Sequence, residues 1–171
     1  MAILFPVPAT ACRTAPPWSG GAALEILDVP RSACGVFAAA ERYLCADPRM
    51  REIFECAERA GRTIHLRVNH HDDDSFDPGT DTVNWDPFSA LRTTDGGKQS
   101  PALGLGHELD HATVRASVRE RGTRHRDPHY DNAEERRVVC GSERHAARVL
   151  GEGVRHDHGG TSYRVSAPTV C

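Results

Sequence analysis

The chain has 171 residues, enough for one domain with a tail; 39% are hydrophobic but only 6% aromatic, so its core is modest and aliphatic. With 26% charged residues and a net charge of −3, nothing electrostatic points to a nucleic acid or an anionic membrane as partner. No apolar run reaches the roughly 18 residues that a transmembrane helix needs.

The chain opens MAILFPVPATACRTAPPWSGG, without a basic start and with its apolar run broken by Pro6 and Pro8, so it does not read as a general secretory signal peptide. Residues 1–25 are expected to form an unpacked leader and residues 26–171 a single folded domain. Six cysteines (Cys12, Cys34, Cys45, Cys56, Cys140 and Cys171) contain no C-x-x-C pair, so no zinc knuckle is signalled and free thiols are expected. A short apolar stretch over 22–29 stops at Pro30, and Ala33–Cys45 has helical spacing. Asp47-Pro48 looks like a helix cap and first residue, followed by Met50, Ile53, Phe54 and Ala57 on one face and Gly61 as the stop.

Arg62–Asn69 alternates Ile64, Leu66 and Val68 with polar residues, the pattern of a half-buried strand. Thr82–Trp85 is a second strand, and the two read as a hairpin with a long loop. The acidic and histidine run at its tip, His70 to Asp74, reads as solvated. Pro87 ends the ladder, and Arg92–Gln99 leads into a helix.

That helix carries the informative motif. In SPALGLGHELDHA, Ser100 is an N-cap and Pro101 suits the first helical position. Leu103, His107, His111, Val114 and Val118 recur on one inward face. His107 and His111, four apart, can bind one Zn²⁺ together, and Glu108 can face an attacking water. The polar, basic stretch Ser117–His129 is expected to be exposed. Asp131–Leu150 then reads as one helix, capped by Asp131 with Glu134 closing a capping box. On its wheel Val138, Val139, Ala146, Val149 and Leu150 form the buried stripe. Glu135 lies within roughly 20° of its centre, Glu134 roughly 100° to one side, and Glu143 near its edge. A carboxylate on an apolar face needs a cationic partner, so Glu135 is the expected third ligand, against the alternative that it frays in the first turn. Residues 151–171 read as irregular, with His156 and His158 as solvated loop residues. Tyr163 and Arg164 are side-chain types that can donate to an oxyanion, or else a surface strand pair.

The blocks SPALGLGHELDHA, DNAEERRVV and LGEGVRHDHGGTSYR resemble the NleD/XopG-type zinc metalloproteases, short type III secretion effectors, over roughly residues 60–165. The resemblance implies an α+β, zincin-like domain with helices packed on a short antiparallel hairpin or sheet. It implies one catalytic Zn²⁺, endopeptidase action on an extended host protein chain, and delivery by a type III system into the host cytoplasm, with the leader as secretion signal. Carried over, His107 and His111 are ligands, Glu108 is the catalytic base, the downstream acid maps to the Glu134–Glu135 pair, and Arg155, Tyr163 and Arg164 match the C-terminal Arg and Tyr loosely.

The expected activity is a gluzincin-like zinc endopeptidase in which His107, His111 and Glu135 hold the metal, Glu108 moves the proton and Tyr163 or Arg164 meets the oxyanion. Either predicted strand offers an edge for the substrate, and a monomer is expected. Two alternatives stand beside it. One is a non-catalytic host-protein-binding module with structural zinc, which a fourth ligand among His125, His129, His156 and His158 would favour. The other is a zinc peptidase that is not secreted.

Overall fold

The computed structural model describes residues 27–171; the leader lies outside them. The architecture is α+β. Strand β1 (Leu27–Asp28) precedes helix α1 (Cys34–Leu44), and α2 (Pro48–Glu58) follows. Asp47 caps α2 by accepting from Met50 N at 2.9 Å, Pro48 takes the first turn where its missing N–H costs nothing, and Met50, Ile53, Phe54 and Ala57 are the buried face.

Strands β2 (Ile64–Val68) and β4 (Thr82–Trp85) are neighbours as expected, but they run parallel, with His65 opposite Thr82 and Val68 opposite Trp85. A parallel pair needs a long crossover, and the Asn69–Asp81 segment is long enough to supply one. That segment also contains β3 (Ser75–Asp77), which turns at Asp77–Thr80 and makes the antiparallel hairpin with β4 instead. The sheet order is β1-β2-β4-β3, so neither predicted strand is an edge, and β3 is. After Pro87 the chain does not go straight to the helix. It forms β5 (Ser89–Arg92), which pairs antiparallel with β6 (Lys98–Gln99) and with β9 (Thr161–Arg164) in a second sheet.

Helix α3 (Pro101–Thr113) is the central element, buried on nearly all sides between α1, α2 and the strands. Ser100 caps it, accepting from Leu103 N, and the indole of Trp85, itself wholly buried, donates to Pro101 O at 2.8 Å. A Cβ on Gly106 would stand 2.8 Å from Met50 Sδ, so a glycine is what lets α2 approach this closely. The expected inward stripe stops at His111. Val114 is extended at ψ 149°, and Val118 sits in a separate helix, α4 (Ala116–Thr123), which has no buried residue.

The predicted helix over 131–150 is broken into α5 (Ala133–Val138), a π-helical turn (Val139–Glu143) and α6 (Arg144–Leu150). Asn132, not Asp131, caps α5, accepting from Glu134 N and Glu135 N. Asp131 instead has φ 66° and opens β8 (Asp131–Asn132), which pairs with β7 (Arg126–Asp127). Past the π turn the faces rotate, and Val149 is 48% exposed rather than buried. Cys45, Cys56, Cys140 and Cys171 are free thiols, but Cys34 is disulfide-bonded, against the expectation of free thiols throughout; pairing depends on a spatial approach that spacing along the chain does not disclose. Among the described residues no helix is long and apolar enough to cross a membrane.

Candidate metal centre

His107 and His111 stand one turn apart on α3, both nearly buried, with their Nε2 atoms 3.0 Å apart. Two imidazole nitrogens that close cannot both present lone pairs to each other unless something positive lies between them. Their tautomers sharpen the point. Nδ1 of His107 is 2.7 Å from Glu143 Oε2, and Nδ1 of His111 is 3.0 Å from Glu134 Oε1. An ionised carboxylate only accepts, so each Nδ1 carries the proton and each Nε2 is left facing inward. The first turn of α5 brings Glu135 Oε2 to 3.0 Å from His107 Nε2 and 3.2 Å from His111 Nε2.

A third histidine joins them. His158 Nε2 lies 3.2 Å from the same Glu135 oxygen, and its Nδ1 is 2.6 Å from Asp131 Oδ2. His107, Glu135 and His158 form a group whose donor atoms all lie within 4.8 Å of one another and can hold a metal ion; His111, close to His107 and Glu135, is not in that group with His158. Nitrogen and carboxylate donors in this number suit Zn²⁺, and each imidazole has a carboxylate behind it, the usual support for a metal-binding histidine. The fit is therefore good. His125 and His156 stay away: His125 bonds Arg121 O, and His156 is exposed beside Asp95.

The electrostatics match a site built around positive charge. Burial opposes protonation of His107, yet its contacts with Glu135 and Glu143 outweigh that and push the imidazole up to about 10. Burial likewise works against ionisation of Glu135, but its bonds to His107, His111 and His158 hold its carboxyl well below the usual range. Glu143 is fully buried and held down to about 2 against its desolvation by His107 and by Arg155, whose guanidinium bonds both its oxygens at 2.9 and 2.6 Å. Glu134 is held down to about 2 in the same way by His111 and Arg137. Arg137 also reaches Asp110 at 2.7 Å.

Glu108 is buried, with one oxygen 3.9 Å from His107 Nε2, and burial raises its carboxyl. It lies where two cavities meet. One, of about 210 Å³, is walled by Leu103 and Gly104 of α3 and by Leu91 and Ser162 of the second sheet. The other, of about 690 Å³, runs between β3 and α4 past Phe76, Pro78, Ala116 and Arg119. Asp74, Glu108 and His158 line both.

Of the residues singled out in the sequence, His107, Glu108, His111 and Glu135 come together, and Tyr163 does not. On β9 it pairs across from Ala90 and alternates with Ser162, so it faces away from the cleft; Arg92 lies over its ring, and its buried hydroxyl has no partner among the described residues. Arg164 shares the Ser162 side but is held by Asp86 at 2.6 Å, away from the histidines. The sequence offers His158 only as a solvated loop residue or as the fourth ligand of a structural zinc, and gives Glu143 no role as an imidazole partner. The usable signal was an excess of acids beside the motif, since each metal-binding histidine needs an acceptor for its other nitrogen. No protein-family model matches the chain, and no curated protein or solved structure matches it either. The likeness to effector metalloproteases is carried by its motif blocks alone.

Proposed function

We propose that the protein is a zinc-dependent endopeptidase. The observation that carries this is the convergence of His107 Nε2, His111 Nε2 and Glu135 Oε2, with the buried Glu108 beside them at the junction of two cavities. His107, His111 and Glu135 would hold the metal, and Glu143, Glu134, Arg155 and Arg137 keep those side chains aimed. Zinc bound there supplies a Lewis acid for the scissile carbonyl and lowers the pKa of a water. Glu108 takes the proton from the attacking water and passes it to the leaving amine. The edge of β3, beside the larger cavity, offers backbone groups on which an extended chain can pair. Neither Tyr163 nor Arg164 has a part in this reading. A type III effector acting on a host protein in the host cytoplasm is the setting that the motif blocks support.

A second reading, a non-catalytic module with structural zinc, is favoured by one observation: His158 gives the centre a fourth protein donor. The buried Glu108 between two cavities favours the enzyme, since a structural site has no use for it. The test is zinc content together with proteome-wide mapping of cleavage sites, wild type against Glu108→Ala. The enzyme reading expects zinc in both and cleavage by wild type alone, with a loss of about 10²-fold or more. Zinc without cleavage by wild type would favour the structural module, and no zinc in wild type would overturn both.

A further inference from the structure

Resting on the zinc reading above, we infer that His158 is a displaceable fourth ligand, which closes the metal centre until a substrate chain pushes it aside.

The three histidines share one design. Each has a carboxylate on Nδ1 (Glu143, Glu134 and Asp131), and each turns Nε2 toward the same Glu135 oxygen, at 3.0, 3.2 and 3.2 Å. A histidine whose Nδ1–H is fixed by a carboxylate presents a lone pair at Nε2, which is the ligating form. The His158 ring also lies face to face with that of His107, at 6.2 Å between centroids and 29° between planes.

The position of His158 is set deliberately. The hairpin of β7 and β8 holds it twice: its backbone N–H donates to His129 O at 2.8 Å, and its ring donates to Asp131. Asp131 reaches it from a left-handed backbone, φ 66°, a region that few residues other than glycine, asparagine and aspartate adopt.

The same facts make His158 the ligand that gives way. His107 and His111 are fixed on a buried helix, and Glu135 by a capped helical turn. His158 stands on an irregular loop with 34% of its side chain exposed, and its anchor Asp131 is 74% exposed. It also lines both cavities, so a chain passing from one to the other across Glu108 must move past it. A catalytic zinc keeps a position for substrate, and displacing this one histidine provides it.

The experiment uses the full chain loaded with Co²⁺ in place of zinc, with acetohydroxamate as a small chelating mimic of a peptide group. Wild type, His158→Gln and Asp131→Asn are titrated with it while the Co²⁺ absorption is followed. Zinc affinity is measured separately by competition with a chromophoric chelator. Asn is the residue best suited to replace Asp at φ 66°, so the Asp131 variant keeps the fold while weakening the hold on the ring. Expected are acetohydroxamate binding to wild type that is about tenfold weaker than to His158→Gln, a Co²⁺ spectrum altered in that variant before any addition, and zinc affinity lowered about 10- to 100-fold, with Asp131→Asn in between. Equal binding and spectra in wild type and His158→Gln would show that His158 is no ligand. Wild type that binds Co²⁺ but never takes acetohydroxamate, while His158→Gln does, would show that it cannot be displaced. Either result overturns this inference alone; wild type that takes up no metal overturns the zinc reading beneath it.

Discussion

Two sets of buried or half-buried carboxylates in this protein behave in opposite ways. Around α3 and α5, Glu134, Glu135 and Glu143 are held low and remain charged, because imidazoles and the Arg137 and Arg155 guanidiniums lie within hydrogen-bonding distance. On α1, Glu41 is as buried as Glu134 and Glu143 but has no such partner among the described residues, and its carboxyl is pushed up to about 7. Burial acts in the same direction in both places; the neighbours decide the outcome. A cluster of buried carboxylates kept ionised by converging histidines is arranged to hold a cation. A lone buried acid is merely tolerated.

The comparison breaks most visibly at Glu135. If it is the ligand, Glu135→Gln lowers zinc affinity by more than about 100-fold, beyond the effect of any residue that only supports a ligand. Chelator competition checks this, and an equal or larger loss in Glu134→Gln would transfer the ligand role to Glu134. The supporting acids come next: Glu134→Gln and Glu143→Gln are each expected to lower zinc affinity about 10- to 100-fold. Their stability effects should differ. Glu143 is the acid that pairs with the buried Arg155, whereas Arg137 keeps Asp110 when Glu134 is neutralised. Glu143→Gln thus strands a buried charge and is expected to cost about 3 kcal/mol, visible as a larger drop in Tm than for Glu134→Gln. Equal Tm values would contradict the account given of Arg155.

How far the sequence reveals this site depends on whether local rules hold between the residues concerned. The motif helix obeys them: Ser100 caps, Pro101 follows, and His107 and His111 share a face because nothing interrupts the helix between them. The buried face of α2 is legible for the same reason. Glu143 is not. A regular helix turns about 100° per residue, so residues 135 and 143 would diverge by about 80°. The π turn over Val139–Glu143 underwinds that stretch and brings Glu143 back onto the His107 side while sending Val149 outward. No residue type announces such a turn. The parallel pairing of β2 with β4 is hidden likewise, because it depends on which strand the Asn69–Asp81 crossover presents to β4. His158 is hidden because its place is decided by a hairpin about thirty residues earlier in the chain.

The smallest expected effect tests the other half of the comparison. Glu41 is 2% exposed, and its Oε1 has no hydrogen-bond partner among the described residues. Burial is the main cause of its raised carboxyl, Glu58 adds to it, and Arg42 only partly offsets them. An acid with a folded-state value near 7 and an unfolded value near 4.5 binds more protons folded than unfolded between those limits. Stability from this group is therefore complete below about pH 4.5 and is lost as pH rises through about 7. Glu41→Gln keeps the shape and removes the ionisation. It is expected to match wild type near pH 4.5 and to exceed it by about 2 kcal/mol at pH 8 in denaturant unfolding. The same substitution at Glu143 goes the other way, because there the charge is the form that the fold holds. If Glu41→Gln destabilised the protein at pH 8, a cation must meet Glu41, and the contrast between the two groups of acids would vanish.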